Sequence, residues 1–149
     1  MTTRQPPSPL HRAVGLLSRR EHSRRELRQK LIQRGVEADE AEAAVERLGE
    51  SGLQDDGRFA QSLIRQRSAA GYGPRYIEAE LATHHIGDAE AAAALEELAP
   101  DWTEIAADLL QRRFPAGLDD PRARRRAQAL LIRRGFDGEC IRAAMARCG

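Results

Sequence analysis

Residues 31–36 of the chain read LIQRGV, and the pattern returns as LATHHI at residues 81–86 and as LIRRGF at residues 131–136. A shift of fifty positions relates the three segments. The same shift aligns further apolar side chains, namely Leu27 with Ile77 and Ala127, Ala41 with Ala91 and Ile141, Val45 with Leu95 and Met145, and Leu48 with Leu98 and Cys148. Agreement at so many apolar positions predicts one structural unit used three times.

Caps and glycines divide each repeat into three predicted helices. Ser23 and Glu26 form a capping box that opens a second helix, and Gly35 ends it because glycine tolerates a left-handed turn. The other helix starts are marked by Ser8-Pro9, Ala38, Asp55 or Asp56, Gly73-Pro74, Asp88, Asp101, Asp120-Pro121 and Asp137. We therefore expect nine helices and no strand.

The composition of the 149 residues agrees with a helical fold. Hydrophobic residues make up 41% of the chain but aromatic residues only 4%, so the core must consist mainly of Ala, Leu, Ile and Val. One three-helix unit buries too little apolar surface to offset its chain entropy, so neighbouring units must stack. We predict an all-α, elongated, curved array of three tandem repeats at residues 9–52, 53–99 and 100–149, after a flexible segment at residues 1–8.

Several classes of protein are disfavoured by what the sequence lacks. It has no run of 18 apolar residues and no apolar signal segment near its start, which predicts a cytoplasmic protein without membrane contact. We also expect a monomer. Cys140 and Cys148 fit neither a zinc motif nor a disulfide framework, and the adjacent His84 and His85 diverge by about 100° on a helix. Without a glycine-rich phosphate loop or a serine elbow, we expect no enzyme, metal or cofactor.

The net charge of +1 conceals strong segregation along the chain. Basic and acidic residues number nine and two in residues 1–35, one and eight in 36–56, four and two in 57–85, none and seven in 86–108, and ten and four in 109–149. We therefore expect the second helices to be basic, most clearly in the first and third repeats, and the third helices of the first two repeats to be acidic. Of the 24 basic residues only Lys30 is lysine, and arginine is suited to bidentate contacts with carboxylates and phosphates.

Two segments carry a resemblance to a known family. Residues 52–60 read GLQDDGRFA and residues 71–77 read GYGPRYI, and this pair looks like the RecX family of RecA regulators. Supporting motifs are Arg20-Glu21-His22-Ser23, Asp101-Trp102 and Arg113-Phe114. The resemblance runs from about Leu10 to Cys148. The sequence departs from it at His85, where the family usually has glycine.

The resemblance implies a protein without catalytic activity that binds the RecA nucleoprotein filament. Such a protein would inhibit the filament's ATPase, strand-exchange and coprotease activities, in DNA repair, recombination and the SOS response. Weak contact with single- or double-stranded DNA is also expected. The alternative is a protein that binds nucleic acid directly through units like helix-turn-helix modules, although the acidic third helices would repel phosphates.

Arginines and tyrosines supply the candidate partner-binding residues. They are Arg24, Arg25, Arg28, Arg65, Arg67, Tyr72, Arg75, Tyr76, Arg122, Arg124, Arg125, Arg126 and Arg133. Successive arginines on a helix point in different directions, so the alternative is a solvated face. The arginines of residues 24–28 have a further alternative, which is salt bridges to the acidic third helix. Tyr72 lies close in sequence to Arg75 and Tyr76, and the three resemble a patch that combines aromatic stacking with a cation. The alternative is that Tyr72 has a structural role and fills the turn between two helices.

Overall fold

The computed structural model describes residues 7–149, and these residues form nine α-helices without a strand. Of the predicted flexible segment at residues 1–8, all but Pro7 and Ser8 lies outside the described residues. The helices are α1 Pro9–Leu17, α2 Arg24–Gln33, α3 Ala38–Glu50, α4 Asp56–Ala69, α5 Pro74–Thr83, α6 Asp88–Leu98, α7 Trp102–Arg113, α8 Pro121–Arg133 and α9 Gly138–Cys148. The all-α prediction is confirmed. None of the helices in this part of the chain is long and apolar enough to cross a membrane.

The fifty-residue period is visible in the backbone. Helices α2, α5 and α8 end at residues 33, 83 and 133, and α3, α6 and α9 begin at residues 38, 88 and 138. After α2, the Gly35 amide donates to the Ile32 carbonyl and the Val36 amide donates to the Leu31 carbonyl, both at 3.0 Å. The equivalent amides after α5 and α8 make the same two bonds. These bonds satisfy carbonyls that the helix end leaves without partners.

Side chains begin most of the helices as predicted. The Ser23 hydroxyl accepts a hydrogen bond from the Glu26 amide at 3.1 Å, and the Asp101 carboxylate accepts one from the Glu104 amide at the same distance. Asp120 and Asp137 cap α8 and α9 through the amides of Arg122 and Cys140. Proline follows the cap in α1, α5 and α8, where its missing N–H costs no helical bond.

The described chain divides into two compact units, one ending at Ala60 and one running from Gln61 to Gly149. The division falls within α4. The first unit has an aliphatic core formed by Ala13, Leu16, Leu27, Leu31, Ala41, Ala44, Val45 and Leu48. Helices α1, α2 and α3 supply all of these side chains.

The second unit holds a buried cluster that lies among α7, α8 and α9. Its members include Leu109, Leu110, Leu131, Phe136 and Ile141. The repeat-equivalent leucines at positions 31, 81 and 131 are all fully buried, as the alignment predicts. The core is mostly Ala, Leu, Ile and Val throughout.

Candidate partner-binding surfaces

The motif at residues 20–23 lies against the segment that leads into α4. Gln54 Nε2 donates to the His22 carbonyl at 3.3 Å and to the Asp56 carboxylate at 3.0 Å, and that carboxylate also accepts the Arg24 amide at 2.8 Å. Arg58 Nε forms an ion pair with Glu21 Oε1 at 3.1 Å. Two of the segments that carry the family resemblance are therefore joined to each other inside the first unit, so their role here is structural.

The His22 side chain belongs to the same arrangement and is almost completely buried. Its Nδ1 lies 3.0 Å from the Arg20 carbonyl, and its Nε2 lies 3.0 Å from Lys30 Nζ. Because lysine can only donate, Nε2 accepts and Nδ1 carries the proton. Burial lowers the pKa of His22 below its ordinary value, since desolvation disfavours the charged ring.

No group of three or more His, Cys, Asp or Glu side chains within residues 7–149 could hold a metal ion.

Two of the three arginines of α2 form ion pairs with the acidic third helix. Arg24 Nη2 lies 2.6 Å from Glu42 Oε1, and Arg28 Nε lies 2.9 Å from Glu42 Oε2. The hydrogen bond from Arg24 lowers the pKa of the Glu42 carboxyl. Arg25 is half-buried on the same helix. For Arg24 and Arg28, the geometry is that of the salt-bridge alternative.

The two predicted arginines of α4 have different surroundings. Arg67 makes a bidentate contact with Glu80 of α5, with Nη2–Oε1 at 2.7 Å and Nε–Oε2 at 2.8 Å. This contact raises the pKa of Arg67. Arg65 is exposed and forms no ion pair within residues 7–149. Arg67 therefore connects two helices, whereas Arg65 remains accessible.

Tyr72 and Tyr76, at the start of α5, form an aromatic cluster with Arg134, which is not among the candidate partner-binding residues predicted from the sequence. The rings of Tyr72 and Tyr76 have centroids 4.3 Å apart, and the Arg134 guanidinium lies 4.3 Å from the Tyr72 centroid. Arg134 Nη1 also donates to the Ala70 carbonyl at 3.0 Å. The predicted cation, Arg75, is instead exposed to solvent. A cation that follows α8 is distant in sequence from Tyr72, so local spacing could not reveal it.

Two glycines allow this region to pack backbone against backbone. The Gly73 amide donates to the Arg134 carbonyl at 2.6 Å, and the Arg75 amide donates to the Gly135 carbonyl at 3.0 Å. A β-carbon on Gly73 would lie 2.6 Å from the Gly135 carbonyl, and one on Gly135 would overlap the backbone of Tyr76. These contacts favour the structural role for Tyr72 and Tyr76.

Helix α8 carries five of the predicted arginines, and all five lack an acidic partner in the described part of the chain. Its buried face is formed by Ala123, Ala127, Leu130 and Leu131. Its exposed side chains include those of Arg122, Arg124, Arg125, Arg126 and Arg133. Acidic side chains of α9 do not cover this helix, in contrast to the way Glu42 covers α2.

The α8 arginines also point to different places. Positions 122, 126 and 133 follow helical spacing and share one stripe, which includes Ala129. Arg126 and Arg133 line a groove of about 390 Å³ together with Arg113 and Phe114 of the α7 end. Arg124 instead reaches the C-terminal residue, because a β-carbon on Gly149 would lie 3.2 Å from its Nη1. The pair Arg113-Phe114, one of the motifs that carry the family resemblance, therefore lines a groove together with two arginines of α8.

Comparison with known proteins decides the family. The chain matches the first, second and third three-helix domains of RecX over residues 10–48, 55–95 and 101–145. It is 54% identical over 138 residues to the regulatory protein RecX of Xanthomonas axonopodis pv. citri, covering 92% of this chain and 85% of that one. The chain belongs to the RecX family. The RecX regulatory protein of Stenotrophomonas maltophilia K279a is also 54% identical, with the same coverage.

Solved RecX structures agree in fold. The crystal structure of RecX from Lactobacillus salivarius superposes with a TM-score of 0.75 at 24% identity, covering 94% of both chains. A second RecX crystal structure gives a TM-score of 0.75 at 23% identity, covering 90% of this chain and 68% of that one. At this identity the likeness concerns the fold alone. The tandem three-helix plan of this RecX-family protein is thus shared with distant relatives.

Proposed function

We propose that this protein binds the RecA nucleoprotein filament and inhibits its ATPase, strand-exchange and coprotease activities, without catalysing a reaction itself. The observation that supports this most strongly is the match to all three RecX domains in order, together with 54% identity to proteins named regulatory protein RecX. We propose that it acts as a cytoplasmic monomer built of units at residues 9–52, 53–99 and 100–149.

The arginines of α8 are the proposed filament contacts. Three candidates, Arg24, Arg28 and Arg67, already form ion pairs with carboxylates of the same chain, so binding a partner through them would break those ion pairs. The arginines of α8 are exposed and have no such cost. Of the remaining candidates, Arg25, Arg65 and Arg75 are secondary contacts, and Tyr72 and Tyr76 serve mainly to hold α5 in place.

A titration into RecA on single-stranded DNA tests the proposal. The rate of ATP hydrolysis should fall as protein is added, and the protein alone should hydrolyse no ATP. Strand exchange should be inhibited over the same concentration range. Unchanged RecA turnover at saturating protein would contradict the regulatory function.

A triple charge reversal tests the α8 surface in the same assay. Replacing Arg124, Arg125 and Arg126 by Glu should leave helicity intact, because exposed substitutions usually change stability by no more than about 0.5 kcal/mol each. Inhibition of RecA should weaken, and more so at low salt, because salt screens charge repulsion. Full inhibition with a normal melt would place the contact elsewhere.

Direct contact with DNA is proposed to be weak. Net charge near zero and the acidic helices α3 and α6 oppose phosphate binding. Affinity for naked DNA should fall by about 0.7–0.9 log units per log unit of salt for each phosphate contacted. Tight binding to free duplex that is insensitive to salt would argue against this assignment.

A further inference from the structure

The groove between the end of α7 and the exposed stripe of α8 combines two kinds of surface. Arg113, Arg126 and Arg133 supply three guanidinium groups around it, while Phe114 and Leu130 supply apolar carbon. All three arginines are exposed, and none of them forms an ion pair within residues 7–149. Its volume of about 390 Å³ lies in the range of pockets that enclose a ligand group.

We propose that this groove receives an acidic protein segment that carries one large aliphatic side chain. The aliphatic side chain would lie against Ala129 and Leu130, and carboxylates on either side of it would reach Arg126 and Arg133. Arginine holds carboxylates in a bidentate geometry, and three of them around one opening favour an anionic ligand. The proposal deepens the α8 contact and rests on the proposed function only for the identity of the partner.

The lining favours a protein segment over a nucleic acid. Single-stranded nucleic acids are held by aromatic faces on which bases stack. The only aromatic side chain in this groove is Phe114, which is half-buried and packs against the core cluster of α7, α8 and α9. Leu130 is 7% exposed, and Ala129 beside it is small, so the apolar part of the lining is mostly aliphatic. Such a surface matches leucine, isoleucine or methionine.

Helix α9 offers a matched control for charge. Arg142 is exposed, does not line the groove and is not among the proposed filament contacts. Replacing Arg126 or Arg142 by Glu changes the net charge of the protein by the same amount. Any difference between the two variants therefore reports on the groove and not on the net charge of the protein.

The test measures the fluorescence anisotropy of a labelled peptide made of aspartate and glutamate with one central leucine. Arg126→Glu and Arg133→Glu should each raise its Kd about tenfold or more, whereas Arg142→Glu should raise it less than about threefold. A companion peptide with serine in place of leucine should bind about tenfold more weakly. Equal losses in the Arg142 and Arg126 variants, or equal binding of the two peptides, would overturn the proposal.

A second variant closes the groove without altering charge. Ala129→Phe should abolish binding of the leucine peptide, and Ala143→Phe, at an exposed position of α9, should leave it unchanged. Circular dichroism confirms that both variants fold. Wild-type affinity in the Ala129 variant, or tighter binding of a labelled oligothymidine than of the leucine peptide, would overturn the assignment. Peptide binding without inhibition of RecA would contradict only the proposed function, and inhibition without peptide binding would contradict only the groove.

Discussion

The first and third repeats use one backbone plan in different surroundings. Gly35 and Gly135 both have φ of +92° and both end the second helix of their repeat, yet only Gly135 lies against another backbone. Arg24 and Arg28 of α2 form ion pairs with Glu42, whereas the arginines of α8 form none in the described part of the chain. Repetition therefore preserves the turn and the core, while the surroundings decide whether the same position is structural or available to a partner.

The repeated core should respond alike in both repeats, with the largest expected effect. Leu31 and Leu131 are both fully buried. Replacing either by Ala should lower the free energy of unfolding by about 2–5 kcal/mol, because a cavity remains where the side chain packed. Leu81, also fully buried, should behave in the same way. Chemical denaturation measures the loss, and a change near zero at all three would refute the alignment.

The two turn glycines should respond differently. Gly35→Ala should cost about 1–2 kcal/mol, since alanine is strained at positive φ but meets no atom within 4 Å. Gly135→Ala carries the same strain, and its β-carbon also overlaps the backbone of Tyr76, which adds about 1–3 kcal/mol. Urea unfolding of the two variants gives the difference. Equal destabilisation would mean that the contact of Gly135 with Tyr76 contributes nothing.

The second repeat carries a histidine where the other two carry glycine. His85 keeps the left-handed conformation, with φ of +58°, so the helix ends as in the other repeats despite the substitution. His85→Gly should relieve this strain and raise the free energy of unfolding by up to about 1 kcal/mol, partly offset by the greater flexibility of glycine in the unfolded chain. Thermal melting tests this, and a lower melting temperature would show that the histidine side chain contributes more than the strain costs.

The ion pairs of the first repeat should have the smallest effect. Glu42→Gln releases Arg24 and Arg28, and exposed pairs of this kind contribute about 0–1 kcal/mol. The pKa of Glu42 is lowered in the folded protein, so its contribution is present above the ordinary value of 4.5 and is lost as the pH falls further. The variant and wild type should therefore differ at pH 7 and converge in acid. A difference that persists in acid would assign the loss to something other than the ion pairs.

The candidate site was only partly predictable. Charge segregation leaves salt bridges to the acidic third helix as one alternative for Arg24 and Arg28, beside partner binding, and the packing of α2 against α3 pairs both arginines with Glu42. The sequence predicts Arg75 as the cation beside Tyr72, but the structure places Arg134 there, and Arg134 is distant from Tyr72 in sequence. The groove joins Arg113 to Arg126 and Arg133 across two helices, and no local spacing relates them.

Helix number, helix ends and the repeat period could all be predicted without coordinates, because caps, left-handed turns and burial patterns depend on residues only a few positions apart. The backbone packing at Gly73 and Gly135, and the division of the arginines into paired and unpaired groups, depend on which helices become neighbours. A guanidinium has the same charge and reach at every position of the chain. Whether a carboxylate lies within that reach is decided by packing between helices, and so is the surface that remains for a partner.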